Sequence, residues 1–353
     1  MEGSTHQKKL EEFRLKVKAE NTTPSFDNPD HLATLVLADV SQLDTNVDEI
    51  ESFKKTKYFP CLKSNNSKIS FLGLDIKSFK RHTDVKLEKV YVMSTFSESE
   101  RKKPRGKRLT TQPQDLFAEE VTHKSTEASQ LSLRDLLGRT DFSVVLGKPG
   151  TGKSTLTKFL TASIINNDKT VVPNGLSEYL PIRIILKRYA EEKGKNSQQG
   201  YSFLDYMKAS VKNELQAEGL PDGFFEHYLE NGRAFVIFDG LDEIFDPTIK
   251  KEIRDDIYNF SKIHYSINKY LVTSRTFGYE EASFSSDEWR HFVIEEFNRK
   301  QIEEYVNKWY SWEEKNKQTR SDEIRGFFQQ SRKIPEELLR NPLLLSLIVI
   351  LYR

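Results

Sequence analysis

The stretch VVLGKPGTGKST, residues 144–155, restricts the fold of this chain more than any other. Residues 147–154 match the pattern G-x-x-x-x-G-K-[ST], between an apolar run typical of a strand and a segment typical of a helix. Glycines in such a loop let backbone N–H groups converge on a phosphate chain, and the N-terminus of the following helix adds a favourable dipole. The sequence therefore predicts a phosphate-binding loop at the end of a strand, with an ordinary glycine-rich turn as the alternative.

The loop residues have separate expected roles. We expect Lys153 to bridge the β- and γ-phosphates of a nucleotide and the Ser154 hydroxyl to bind Mg²⁺. Such a loop recognises phosphates rather than the base, so it does not separate ATP from GTP. The predicted phosphate-binding residues are Gly147, Lys148, Pro149, Gly150, Thr151, Gly152, Lys153, Ser154 and Thr155.

A second motif, AFVIFDGLDEIFD, begins at residue 234 and places acidic side chains directly after an apolar run. Asp239 is expected at the carboxyl end of a strand, where its carboxylate can hold the water shell of Mg²⁺. Asp242 and Glu243 follow within one turn, and a second carboxylate there can orient or deprotonate the attacking water. Acidic residues after a strand also commonly mark a helix N-terminus, but the intact phosphate loop upstream favours the metal interpretation.

A third motif, KYLVTSRT, places Ser274 and Arg275 at the end of another strand. A guanidinium binds phosphate oxygens in fork geometry, so Arg275 can report the presence of the γ-phosphate. An ion pair between Arg275 and a nearby acid is the alternative.

Strand-like runs alternate with helical patterns through the middle of the chain. The runs are FSVVLG (142–147), YLPIRIIL (179–186), AFVIFD (234–239), KYLVTS (269–274) and HFVIEEF (291–297). This alternation predicts an α/β fold with a parallel sheet buried on both faces. We also expect a strand over 87–96 and a short helix over 132–138, capped by Ser132 and stopped by Gly138.

These patterns divide the chain into four parts. Residues 1–84 form an N-terminal region of uncertain fold, a possible effector or adaptor, with an amphipathic helix around Leu10. Residues 85–131 hold a strand and a basic linker, 132–297 the nucleotide-binding domain, and 298–353 a small helical domain.

Composition excludes several classes of protein. The 54 basic residues nearly cancel the 53 acidic ones, so no overall field favours nucleic acid, and we interpret the basic run at 101–108 as a solvated connector. The single cysteine, Cys61, excludes an internal disulfide. The N-terminus lacks a signal peptide core, and the apolar run at 343–351 is too short to span a membrane. We therefore expect a cytoplasmic protein without a membrane partner.

The ordered set GKPGTGKST, FVIFDGLDE, LVTSRT and LLRNPLLL resembles the NACHT domain. NACHT domains are the nucleotide-binding switches of STAND-class ATPases, which include NOD-like receptors and bacterial antiphage relatives. The D-G-h-D-E arrangement at 239–243 is the most discriminating element, and the resemblance covers about residues 85–353. Thr276 departs from the family, which often has proline after Ser-Arg.

The resemblance implies a P-loop sheet of strand order 5-1-4-3-2 with a helical domain beside it. It implies that Pro342 lies near the adenine, with the segment around Tyr91 and Val92 on the other side. It also implies a slow, Mg²⁺-dependent ATPase that is closed with ADP and open with ATP. The open form would self-associate or join other NACHT proteins, in innate immune or antiphage signalling, in response to an activating ligand that the sequence does not identify.

NACHT switches normally continue into a winged-helix domain and a repeat sensor, whereas this sequence ends at LYR. We therefore expect a fragment, a truncated product, or a minimal protein whose C-terminal surface a partner covers. Two further functions stay open. One is a scaffold or dominant inhibitor that binds nucleotide without hydrolysing it, and the other is an AAA+-like ATPase in nucleic-acid transactions.

Overall fold

A computed structural model of the chain describes residues 46–67, 86–99, 130–196, 200–313 and 316–352. The chain divides into two compact units, Met1–Phe53 and Lys54–Arg353. In the first unit, residues 46–53 are helical. The expected helix around Leu10 and the basic run at 101–108 lie outside the described residues. The second unit contains the strands and motifs discussed below.

Six described strands of the second unit form one mostly parallel sheet. They are β1 (Phe96–Glu98), β2 (Phe142–Gly147), β3 (Leu180–Ile185), β4 (Ala234–Asp239), β5 (Lys269–Arg275) and β6 (Arg290–Ile294). The spatial order is β1-β6-β2-β5-β4-β3, and only the β1–β6 pair is antiparallel. When the five parallel strands alone are numbered along the chain, the order is 5-1-4-3-2. The predicted α/β P-loop architecture is therefore confirmed.

The parallel strands are nearly continuous apolar runs because helices cover both faces of the sheet. All six residues of β4 are buried, and β2 is buried from Ser143 to Gly147. In the register of the sheet, Val144 of β2 lies opposite Val272 of β5. This places the ends of β2, β4 and β5, and the motifs that follow them, at one edge.

The described part of the second unit contains twelve α-helices. They are α1 (Phe59–Asn66), α2 (Leu87–Val90), α3 (Leu133–Arg139), α4 (Lys153–Ile165), α5 (Leu186–Lys195), α6 (Phe203–Asn213), α7 (Phe224–Glu230), α8 (Pro247–Tyr258), α9 (Arg299–Glu313), α10 (Lys317–Ser331), α11 (Glu336–Arg340) and α12 (Pro342–Leu351). Ser132 caps α3 through a capping box, as expected. The helix does not stop at Gly138, however, but includes it in its last turn and ends at Arg139.

The expected strand over 87–96 is wrong for most of its length. Residues 87–90 form α2, because Leu87 and Val90 are spaced by one helical turn and are both buried. Residues 91–95 belong to no helix or strand, and side chains of α9 bind two of their carbonyls. Gln301 Nε2 donates to Met93 O at 2.7 Å, and Lys308 Nζ donates to Tyr91 O at 2.8 Å. Strand pairing begins only at Phe96, where β1 joins β6.

The helices after residue 298 form the expected C-terminal helical part, with a core of their own. Trp309 and Tyr310 of α9 and Phe327 of α10 pack in one buried cluster with Leu345 and Val349 of α12. The apolar run at 343–351 is therefore a packed helix, as expected. Among the described residues, none of the helices combines the length and the apolar character that crossing a membrane requires.

Residues 54–67, which fall within the expected N-terminal region 1–84, pack against the sheet and its helices. Tyr58 Oη donates to Pro181 O at 3.1 Å, Lys63 Nζ bonds Asn166 Oδ1 at 2.7 Å, and Asn65 Nδ2 donates to Glu214 O at 2.8 Å. The proposed domain boundaries near residues 84, 131 and 297 stay predictions.

Candidate nucleotide-binding site

The glycine loop connects the end of β2 to the start of α4, as its motif requires. Gly150 and Gly152 have φ values of +79° and +88°, a conformation that side chains other than glycine rarely adopt. A Cβ atom at Gly150 would also lie 2.6 Å from Asn341 Oδ1. The conformation of the loop therefore depends on two glycines, since any other residue at either position would strain the backbone. The loop leads into the N-terminus of a 13-residue helix.

Lys153, the first residue of α4, directs its ammonium group onto the loop itself. Its Nζ donates to the carbonyls of Gly147 at 2.8 Å and Lys148 at 3.1 Å. Loss of hydration on burial lowers the pKa of Lys153, while the nearby Asp242 carboxylate raises it. The lysine therefore carries a partly desolvated charge at the mouth of the loop, where a phosphate chain would meet it.

Asp239 lies at the carboxyl end of β4 with only 4% of its side chain exposed. Its Oδ1 accepts hydrogen bonds from Ser154 Oγ at 3.4 Å and Thr273 Oγ1 at 2.7 Å. Its Oδ2 accepts from Thr157 Oγ1 at 3.1 Å and from Arg183 Nη2 at 2.5 Å. The structure thus brings together the two side chains that the sequence assigned to magnesium, Ser154 and Asp239.

The donor set at this point fits Mg²⁺. No group of three or more His, Cys, Asp or Glu side chains within the described ranges is arranged to hold a metal ion. Ser154 and Asp239 instead present oxygen atoms beside the glycine loop. Mg²⁺ is usually bound by one or two protein oxygens, with phosphate oxygens and water completing its octahedron.

Asp242 and Arg275 pair with each other beside the loop. Arg275 Nε lies 2.8 Å from Asp242 Oδ2, and the Arg275 backbone N–H donates to Asp242 Oδ1 at 2.9 Å. The Asp242 side chain is 11% exposed, whereas that of Arg275 is 52% exposed. The carboxylate is held in place, and the guanidinium has room to turn toward a ligand.

Glu243 follows Asp242 in a single 3₁₀ turn, Leu241–Glu243, which begins after the left-handed Gly240. Burial raises the pKa of Glu243, and the carboxylates of Asp239 and Asp242 raise it further, while Lys187 and Arg275 oppose them. A carboxylate with a raised pKa is the stronger proton acceptor. Of the two acids named by the sequence, Glu243 is therefore the better candidate for a general base, since Asp242 pairs with Arg275.

The start of α12 contacts the glycine loop directly. Asn341 Oδ1 caps the helix by accepting from Leu343 N and Leu344 N, and its Nδ2 donates to Pro149 O at 2.9 Å. Leu343 N also donates to Gly150 O at 3.1 Å. Pro342 is the first residue of α12 and lies within this contact. Its expected contact with the adenine stays a prediction.

Tyr91 stacks on Phe159 of α4 at a centroid distance of 3.8 Å, and Val92 packs in the buried cluster of the C-terminal helices. The expected contact of these two residues with the base also stays a prediction.

Sequence reasoning missed two residues that organise this site, Arg183 and Asn341. Arg183 is the one charged residue in the apolar run LPIRII, and a charge inside a buried strand signals a buried partner. Asn341 precedes proline at a helix start, which signals an N-cap but not its contact with a loop 192 residues away.

Comparison with known protein families matches residues 141–313 to the NACHT domain. The matched range includes the glycine loop, Asp239, Asp242, Glu243 and Arg275. A search of curated proteins finds no match to the chain.

Proposed function

This chain is a NACHT-domain protein, and we propose that it is a Mg²⁺-dependent ATPase switch that passes between an ADP-bound closed state and an ATP-bound open state. NACHT domains are a family of nucleoside triphosphatases, which supports nucleotide binding in general. The observation that carries the proposal is the 3.4 Å contact between Ser154 Oγ and Asp239 Oδ1 beside the glycine loop. Two side chains 85 positions apart thus meet where the β- and γ-phosphates would lie.

In this mechanism the loop N–H groups and Lys153 bind the phosphates. Ser154 and Asp239 would hold Mg²⁺, which neutralises charge on the phosphate oxygens. Glu243 accepts a proton from the attacking water, and Asp242 holds the turn that carries Glu243 by its bonds to Arg275. The side chains therefore supply phosphate binding, a metal site and a base within one edge of the sheet.

The switch would depend on two contacts that a γ-phosphate can change. Arg275 can leave Asp242 for phosphate oxygens, because its guanidinium is half exposed and binds both kinds of oxygen in the same fork geometry. Asn341 links the loop to α12, so a shift of the loop is transmitted to the helical part. ATP biases the open state only to the extent that it binds that state more tightly than the closed one.

The first test is calorimetric titration of ATP with Mg²⁺ into the protein and its Lys153→Ala variant. We expect the variant to lose binding, because the other lysine of the loop, Lys148, is 73% exposed and pairs with Glu296 at 3.0 Å. Lys169→Ala, which changes an exposed lysine beyond α4, is the control and should bind like the parent. If Lys153→Ala binds ATP as tightly as the parent, the proposal is wrong.

Hydrolysis separates this proposal from the scaffold alternative. Phosphate release should fall to background in Glu243→Gln and stay at the parental rate in Glu252→Gln, which changes an exposed carboxylate of α8. Equal background rates in the parent and in Glu243→Gln would favour a scaffold that binds nucleotide without turnover.

Self-association belongs to the same proposal. Sedimentation should show a larger species with a non-hydrolysable ATP analogue than with ADP, and both profiles should be equal if nucleotide does not control assembly. A role in innate immune or antiphage signalling, beside other NACHT proteins and in the cytoplasm, is part of this proposal because such switches act there. The AAA+-like alternative in nucleic-acid transactions is less well supported, because residues 141–313 match the NACHT domain.

A further inference from the structure

A cavity of about 520 Å³ lies next to the candidate nucleotide site. Residues of α1, α4, β3, α5 and α6 line it, including Asn65, Ser154, Lys158, Arg183, Arg188 and Ser210. Ser154 and Lys158 are four residues apart on α4, so their side chains share one face of that helix. The cavity therefore begins at the metal-binding hydroxyl and extends away from the glycine loop. Its volume is typical of sites that hold small molecules.

The charges around this cavity do not cancel. Arg183 pairs with Asp239 at 2.5 Å, and Arg188 pairs with Glu214 at 2.7 Å. Lys158 is partly buried, and within the described residues it makes no ion pair and no hydrogen bond through Nζ. The charged residues of the lining, counted together with Asp239, therefore leave one positive charge in excess.

The environment of Lys158 disfavours its charged form. Burial lowers the pKa of Lys158, and the Arg183 guanidinium lowers it further, while Asp239 opposes both. A partly desolvated ammonium beside another cation is stabilised by an anion that enters the same space.

Two guanidinium groups in the cavity lining can also donate hydrogen bonds to a ligand. Arg183 uses Nε on Thr157 Oγ1 at 3.0 Å and Nη2 on Asp239, and Nη1 makes no hydrogen bond within the described part of the chain. Arg188 uses Nη1 on Glu214 and is 55% exposed, so it can turn. Guanidinium and ammonium groups around a small cavity are the groups that bind phosphate in proteins.

We infer that this cavity binds the phosphate group of a small anionic ligand, with Lys158 as its main charged contact. The ligand is either a phosphorylated small molecule or inorganic phosphate released from the adjacent site. The cavity shares Ser154 with the glycine loop, but its other lining residues lie outside that loop, so the inference stands whether or not the protein hydrolyses ATP. Only the second source depends on the proposed function.

The test is calorimetric titration with two probes, inorganic phosphate and ribose 5-phosphate. The protein is first saturated with a non-hydrolysable ATP analogue and Mg²⁺, so that the glycine loop is occupied and remaining binding reports the cavity. We expect binding that weakens about tenfold or more in Lys158→Gln and stays within about threefold in Lys158→Arg. The control is Lys212→Gln, which changes an exposed lysine of α6 outside the cavity lining and should match the parent.

The two probes distinguish the sources. Tighter binding of ribose 5-phosphate identifies a phosphorylated small molecule, and tighter binding of inorganic phosphate identifies the reaction product. The inference is overturned if neither probe binds the analogue-saturated protein or if Lys158→Gln binds like the parent.

If the parent does not bind the ATP analogue, the proposed function fails, but the cavity can still be tested. The same titrations are then made on Lys153→Ala, whose loop lacks its phosphate-binding ammonium. Binding that depends on Lys158 in this background supports the cavity site, and its absence overturns it.

Discussion

Replacing Arg183 by methionine removes the one cation of the described residues that touches the buried Asp239 carboxylate. Both side chains are largely buried, with 12% of Arg183 and 4% of Asp239 exposed. Loss of one partner of a buried ion pair costs about 3–5 kcal/mol, because the other charge is left without compensation. Three hydroxyl groups still donate to Asp239, so we expect the lower end of that range, a loss of about 3 kcal/mol in the free energy of unfolding.

Urea denaturation of the parent, Arg183→Met and a matched variant measures this loss. The matched variant is Arg188→Met, which breaks an ion pair of the same type with Glu214 but starts from a side chain that is 55% exposed. Exposed pairs contribute about 0–1 kcal/mol, so this variant should remain close to the parent.

A double variant extends the test. The variant that combines Arg183→Met with Asp239→Asn should lose less free energy of unfolding than the two single variants lose together. The reason is that neither charge of the pair remains without compensation. If Arg183→Met is as stable as Arg188→Met, the reasoning about the buried pair is refuted.

Three further predictions follow from the site. The rate of phosphate release should rise with pH through a pKa above the usual glutamate value, because Glu243 must be ionised to accept a proton, and Glu243→Gln should abolish this dependence. Asn341→Ala should lower the free energy of unfolding by about 1 kcal/mol and should also weaken ATP binding. Asn316→Ala, which removes the cap of α10, should lower the free energy of unfolding without changing ATP binding. Denaturation and calorimetry on both variants measure the two effects. Arg275→Gln should retain ATP binding but lose the difference in sedimentation between ATP-analogue and ADP states, and an unchanged difference would exclude Arg275 as the sensor.

Glu243 also affects stability in a defined pH range. Its pKa is raised in the folded state, so the folded protein binds more protons than the unfolded chain between the two pKa values. The stabilising contribution of Glu243 is therefore complete at pH values below its pKa in the unfolded chain. It is lost as the pH rises through its pKa in the folded protein. Glu243→Gln should show a flatter stability profile over that range, and an unchanged profile would contradict the raised pKa.

The sequence identified the parts of the fold that depend on local pattern. Strand β4 was predicted at its observed bounds, because its apolar residues end abruptly at Asp239. The other parallel strands were predicted to within three residues. The strand expected over 87–96 was wrong because an apolar run of that length fits a helix turn or a strand, and bonds from α9 decide between them.

In the candidate site too, the sequence reveals the local motifs but not the contacts between distant residues. The glycine loop and Asp239 were identifiable from motifs, since each occupies one short segment. The pairing of Asp242 with Arg275 joins residues 33 positions apart, and the contact of Asn341 with Pro149 spans 192 positions. Such contacts depend on the packing of the whole sheet and the helical part, so spacing along the chain does not reveal them.

The most direct test of the account is the effect of Mg²⁺ on ATP affinity in the parent and in Asp239→Asn. Calorimetric titrations of ATP are made with Mg²⁺ and with a chelator, because Ser154 and Asp239 would bind one ion together with the phosphates. We predict that Mg²⁺ strengthens ATP binding in the parent and that this gain is lost in Asp239→Asn. An equal gain in both proteins would contradict the account.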